Sequence, residues 1–170
     1  MTNKLTKGLE VSANVAIIIV AVLLGVVLVR QQLLGGAQPR AGASQPGAAA
    51  NLGSKLALPG VDWAESKKTL VLALSSKCHF CSESAPFYQR LAKEGGVRLI
   101  AVVPQDAAEG RAYLDRLSVP IGDVRQMPLG AIGVEGTPTL MLVDDKGVIL
   151  NSWVGKLPAS TEDEVLSKIG

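Results

Sequence analysis

The sequence predicts an α/β fold, a mixed central sheet flanked by helices, preceded by one membrane-spanning helix and a flexible linker. Three observations carry this prediction. From Thr69 onward, apolar runs of strand length alternate with amphipathic stretches of helix length. Near the end, Asp144-Asp145-Lys146-Gly147 separates two strand signals as a hairpin turn does. Close to the start, Val15 to Val29 is an unbroken apolar run.

Extended back to Val11, that run approaches the roughly 20 residues a helix needs to cross a bilayer. It exceeds the apolar region of about 7–15 residues usual in a cleaved signal peptide. The expectation is an uncleaved signal-anchor helix over about residues 11–29, within an N-terminal anchor of residues 1–34. Lys4, Lys7 and the amino terminus precede the run, and Arg30 and Arg40 follow it. The basic residues before the run favour an N-terminus inside. This places a single-pass protein in the cytoplasmic (inner) membrane, with its domain on the extracytoplasmic, periplasmic side.

Residues 35–60 are rich in Gly, Ala, Pro and Ser without apolar periodicity and read as a flexible linker. The α/β domain is expected over residues 61–170. The formal net charge of the chain is +2; Lys4, Lys7, Arg30 and Arg40 against the single acid Glu10 put the net positive charge around the apolar run. No basic patch of the kind that binds nucleic acid is present.

Within the domain, Thr69 to Ser75 (TLVLALS) reads as a strand buried on both faces. Residues from His79 to Glu94 read as a helix with Phe80, Phe87, Leu91 and Ala92 on one face, ended by Gly95-Gly96. Val97 to Val103 is a second strand, parallel to the first through a right-handed crossover. Ala107 to Leu117 is a second helix with Ala108, Ala112, Tyr113 and Leu117 at helical spacing. Gly110 weakens it slightly. Leu140 to Val143 and Val148 to Val154 form the hairpin. Ser160 to Ile169 closes the domain as a helix that Ser160 or Thr161 can cap. Trp63 and Trp153 belong to the core or its edge.

Both cysteines and the single histidine of the chain fall in SSKCHFCSESAP, residues 75–86. Two cysteines spaced this way can form a redox couple, half a metal site or a staple. A structural metal site needs four ligands, which these three residues do not supply. A disulfide closing so short a loop adds little stability. Cys78 follows a strand and sits where a helix begins, so unpaired N–H groups and the helix dipole favour its thiolate. Lys77 and His79 flank it and push the same way. Cys81 lies one turn on. Cys78 is therefore the expected nucleophile and Cys81 the resolving thiol. A second motif, GVEGTPT at residues 133–139, places Pro138 at a strand entry, where it is either an edge proline or part of a cis peptide with Thr137.

The CxxC pair at a strand–helix junction, Pro86 five residues after Cys81, and the Gly-Thr-Pro-Thr strand entry with its Val-Asp-Asp-Lys-Gly hairpin resemble the thioredoxin superfamily. GVEGTPTLMLVDDKGVIL followed by VGKL is especially similar to its TlpA/ResA-like branch of membrane-anchored, exported thiol–disulfide oxidoreductases. The resemblance covers roughly residues 61–170. It implies the thioredoxin fold, a cis bond before Pro138, and a redox-active Cys78–Cys81 disulfide that works without a dissociable cofactor or metal. It also implies that Pro86 kinks the active-site helix. The partners it implies are protein thiols and disulfides, plus a membrane redox partner that recharges the site.

The chain departs from that pattern in four places. Lys77 stands where tryptophan is usual, and His79-Phe80 replaces a pair containing proline. Leu72 occupies the place of a buried acid, and Ser84 that of a glutamate, with Glu83 one residue earlier as a candidate for proton transfer. His79 is expected to stabilise the Cys78 thiolate, and Phe80 to offer an apolar contact to partners. Thr137 would present its backbone to a bound chain. Two other functions fit the cysteines less well. One is a peroxiredoxin-like peroxidase, for which Ser75 faintly matches the expected hydroxyl. The other is a thiol-based metal-binding chaperone.

Overall fold

A computed structural model describes residues 52–170. The transmembrane helix expected at residues 11–29, and the linker as far as residue 51, lie outside the described residues. Among the described residues no helix is long and apolar enough to cross a membrane.

Five strands and four α-helices follow in the order β1 (Lys68–Ala73), α1 (His79–Glu83), α2 (Ala85–Glu94), β2 (Arg98–Val103), α3 (Ala107–Arg116), β3 (Asp123–Gln126), β4 (Thr139–Asp144), β5 (Ile149–Val154) and α4 (Ala159–Ile169). Short 3-10 turns at Trp63–Glu65 and Leu129–Ile132 precede β1 and β4. The sheet runs β3-β2-β1-β4-β5. Its first three strands are parallel and the last two antiparallel to their neighbours, so the sheet is mixed as expected.

β1 is the central strand, which explains its unbroken apolar sequence. Alternate residues of a strand point to opposite faces. Leu70, Leu72 and Leu74 enter a core with Phe87, Tyr88 and Leu91 of α2, Tyr113 and Leu114 of α3, and Val165 and Ile169 of α4. Val71 and Ala73 enter a second core with Leu56, Leu58, Ile132 and Val134. All three longer helices therefore pack into one core. The opposite face is covered by the chain leading into β1 and by the turn before β4.

The leading chain also moves the domain boundary. Residues 53–58, expected to be linker, join the domain. Gly53 N–H donates to the Ile149 carbonyl at 2.9 Å and Leu56 N–H to the Gly147 carbonyl at 2.8 Å. Leu56 and Leu58 are buried. Two leucines spaced by one residue cover an apolar sheet face that would otherwise meet water.

β3 was not expected. Its sequence, Asp-Val-Arg-Gln, buries only Val124. An edge strand has one neighbour and needs little apolar surface, and charged residues there discourage unwanted pairing. Asp123 is held by Arg125 at 2.9 Å and by Arg98 of β2 at 3.3 Å.

Three local expectations change. The closing helix starts after Pro158, with no side-chain cap, so Ser160 and Thr161 lie inside its first turn. Proline's fixed φ suits that entry, and it has no N–H to leave unpaired. In α3 the buried face is Gly110, Tyr113 and Leu114, whereas Ala108 and Ala112 face solvent. Gly110 also has a structural reason: a Cβ there would lie 2.8 Å from Val103 Cγ2 and 3.1 Å from Val124 Cγ1. Glycine lets α3 settle onto β2 and β3. Gly110→Ala would gain roughly 1 kcal/mol of helix propensity but overpack the core at a cost of about 1–3 kcal/mol. The expected result is a lower melting temperature. An unchanged or higher one would mean that the two valines yield freely.

Candidate functional site

The site forms where β1 ends. Ser75 builds the turn: its carbonyl accepts from Cys78 N–H at 3.0 Å and its Oγ from Lys77 N–H at 3.3 Å. The hydroxyl that faintly matched a peroxidase pattern is thus engaged in the turn. Cys78 is the N-cap of α1, with extended backbone (φ −92°, ψ 114°). Its Sγ accepts from Cys81 N–H at 3.3 Å. Helix caps are normally oxygen side chains. A sulfur in that role receives an N–H that stabilises it when ionised.

Both cysteines are thiols in this structure, Cys78 half-buried and Cys81 buried. They differ sharply. Partial burial pushes Cys78 up, but hydrogen bonds from the Cys81 thiol and from the Cys81 and Phe80 N–H groups outweigh it. Cys78 is held below the ordinary thiol value. Burial pushes Cys81 up to about 12, aided by the hydrogen bond to Cys78. The helix start thus sets two chemically identical groups apart, one thiol favoured as an anion and the other held protonated.

The second motif closes over the first. The Thr137–Pro138 peptide is cis, and the Cys78 thiol donates to the Thr137 carbonyl at 3.2 Å. The loop is fixed from both ends. Thr139 Oγ1 donates to the Gly136 carbonyl at 2.7 Å and Gly155 N–H to the Pro138 carbonyl at 2.7 Å. Beside it lies an open cavity of about 570 Å³ between Phe80, Glu135–Thr137 and Val154–Lys156. Phe80 is 54 % exposed at its edge. It does not share the buried face of Phe87 and Leu91, because α1 and α2 meet at a kink. Ser84, the residue between them, leaves helical geometry (φ −85°, ψ 1°), and Pro86 follows in the first turn of α2.

His79 and Glu83 lie elsewhere than at the sulfur. The imidazole Nε2 is 2.9 Å from Glu83 Oε1, and Lys156 Nζ is 2.9 Å from Glu83 Oε2. Lys156 also lines the cavity. Lys156, followed by His79, holds the Glu83 carboxyl below the usual carboxylate range, which makes it a weak proton acceptor. Lys77 is exposed beside Cys78. His79 is 79 % exposed and its Nε2 is engaged by Glu83. His79→Ala should therefore lower the midpoint potential of the cysteine pair by less than about 30 mV, a tenfold change in its equilibrium constant. A redox titration showing a larger drop would mean that the ring acts on Cys78 despite its pairing.

Beneath Cys81 the surroundings are apolar where an acid was a candidate. Leu72 is fully buried in the same core. Two hydroxyls lie there, Ser84, which the sequence reading named only for standing in a glutamate's place, and Tyr88, which it did not single out. Both are buried, and their places at i+3 and i+7 from Cys81 were the available signal.

Among solved structures the chain is similar to a putative thiol:disulfide interchange protein DsbE from Chlorobium tepidum (26 % identity, 72 % of this chain and 99 % of that one, TM-score 0.51). It is also similar to a thiol-disulfide isomerase from Corynebacterium glutamicum (17 % identity, 73 % and 95 %, TM-score 0.53). A thiol:disulfide interchange protein from Bacteroides sp. matches as well (17 % identity, 74 % and 90 %, TM-score 0.52). The chain is thioredoxin-like. No family model and no curated protein matches it. The thioredoxin-like sheet places the β1 end and the β4 entry side by side, so residues 59 apart in sequence meet at 3.2 Å.

Proposed function

We propose that the protein is a thiol–disulfide oxidoreductase that exchanges electrons with protein thiols and disulfides through Cys78 and Cys81. The observation that carries this is the unequal pair: a helix-capping Cys78 Sγ, held below the ordinary thiol value and 3.2 Å from the Thr137 carbonyl, backed by a buried Cys81. In the reductive direction the Cys78 thiolate attacks a substrate disulfide. One substrate sulfur leaves as a thiolate, and a mixed disulfide forms at Cys78. Cys81 then loses its proton and attacks Cys78 Sγ. The second substrate sulfur leaves with the electron pair and takes up a proton, and the Cys78–Cys81 disulfide remains. The oxidative direction is the reverse.

The substrate chain would lie in the cavity beside Thr137 and Pro138, with Phe80 as apolar contact and Lys77 at the rim. The cycle needs no dissociable cofactor, because the disulfide itself carries two electrons. The apolar run of residues 11–29 and its basic flanks support a membrane-anchored protein whose domain works outside the cytoplasm, recharged by a membrane redox partner. Covalent trapping tests the reading. Cys81→Ser, expressed in cells, should accumulate substrate proteins as mixed disulfides at Cys78. Finding none would sink it.

A further inference from the structure

Two cavities flank Thr137, whose carbonyl accepts the Cys78 hydrogen bond at 3.2 Å. The larger, of about 570 Å³, extends to Phe80 and Val154. The smaller, of about 250 Å³, extends to Ser75 and Pro104. Glu135, Gly136 and Thr137 line both. A chain seated against Thr137 therefore meets Glu135 whichever cavity it follows.

Glu135 and Lys156 are the charged residues lining the larger cavity, and they do not pair with each other. Lys156 Nζ is 2.9 Å from Glu83 Oε2, and His79 Nε2 is 2.9 Å from the other oxygen of that carboxylate. Glu135 is exposed and has no ion pair or hydrogen bond among the described residues. Two other charges stand near Cys78. Lys77 is exposed beside it, and Glu109 accepts from Ser76 Oγ at 3.0 Å, but neither lines either cavity. The cavities thus present one uncompensated negative charge. An exposed acid ordinarily meets only water, but this one stands where the substrate must lie. Phe80, 54 % exposed on the larger cavity, adds an aromatic ring, and such rings also attract cations.

We propose that Glu135 sets substrate choice, favouring protein segments that carry lysine or arginine about two residues from the cysteine being exchanged. Glu135 is two residues from Thr137, at most about 7 Å along the chain. An extended substrate advances about 3.3 Å per residue, so the second residue from its bonded cysteine lies at a matching distance. A basic side chain there meets the carboxylate as the mixed disulfide forms, and an acidic one is repelled. Complementary charge of this kind acts on encounter and specificity. The chemistry is unchanged. The dithiol is oxidised, one substrate disulfide becomes two thiols, and two protons pass from Cys78 and Cys81 to the substrate sulfurs.

The inference rests on the exchange reading, and one assay separates the two. Three short peptides, each dimerised through a central cysteine, carry Lys, Gln or Glu two residues to either side of it. The full chain in mild detergent is reduced and mixed with an excess of each. Samples are quenched in acid, and mass analysis follows the oxidised protein. Dividing the rate on the Lys peptide by that on the Gln peptide cancels any change in Cys78 itself. Glu135→Gln should lower this ratio about two- to fivefold at low salt, the range of an exposed ion pair. The gap should shrink as salt rises. Glu135→Lys should reverse the order and favour the Glu peptide. Glu109→Gln removes an equal charge outside both cavities and should leave the ratio unchanged. An unchanged ratio in Glu135→Gln overturns the inference and leaves the exchange reading standing. An equal fall in Glu109→Gln, or no reversal in Glu135→Lys, overturns it too. A wild type that none of the peptides oxidises overturns the exchange reading itself.

Discussion

Cys78→Ser abolishes disulfide exchange, with a loss of about 10⁴-fold or more, whereas Cys81→Ser completes the first attack and stops there. The asymmetry follows from the site. Only Cys78 Sγ lies at the helix start, receiving the Cys81 N–H, and against Thr137, a residue that lines the cavity. A serine hydroxyl there keeps the cap but stays protonated at neutral pH, so the nucleophile is gone. Losses of this size are usual when a covalent nucleophile is removed. Without Cys81 the mixed disulfide has no internal attacker and waits for an external thiol. Insulin reduction and mass analysis of the captured adduct read the two variants separately. Residual exchange by Cys78→Ser within tenfold of wild type would move the nucleophile to Cys81, against its burial.

At neutral pH, iodoacetamide modifies Cys78 at least about 10³ times faster than Cys81. Only thiolates react. A thiol raised to about 12 is ionised in roughly one molecule in 10⁵ at pH 7, whereas one held below 9.0 is ionised in at least about one in 10². Peptide mapping after brief alkylation checks this, and comparable labelling of both cysteines would refute it. The rate at Cys78 should rise with pH and level off below the ordinary thiol value.

The same shifts fix the pH dependence of the reduced protein's stability. Cys78, depressed on folding, contributes stability that is present above the ordinary thiol value and is lost as pH falls through its folded pKa. Cys81, raised on folding, contributes stability that is present below that value and is lost as pH rises through about 12. A stabilised Cys78 thiolate also favours the dithiol over the disulfide, which makes the disulfide more oxidising.

Much of this was legible before any coordinates. β1, β2 and the β4–β5 hairpin announced themselves because central strands are apolar on both faces and the Asp144–Gly147 turn has its own chemistry. Gly147 adopts φ +79°, the left-handed conformation that glycine tolerates. The helix-start position of Cys78, and with it a thiol held below its ordinary value, was readable because helix starts have unpaired N–H groups whatever surrounds them. The elements that escaped carry weak local signals. β3 shows one buried residue in four, and residues 53–58 look like the Gly-rich segment before them until Leu56 and Leu58 meet the sheet.

By itself the sequence determined which residues could do redox chemistry, since spacing, capping and strand hydrophobicity are local properties of the chain. Only the tertiary structure decided what each of them faces. It turned His79 to Glu83, tied Glu83 to Lys156, set the Thr137 carbonyl against Cys78, and buried Tyr88 in the core that holds Cys81. Those outcomes depend on how helices, sheet and loops pack over long separations, and burial and pairing of that kind have no signature within a single stretch of sequence.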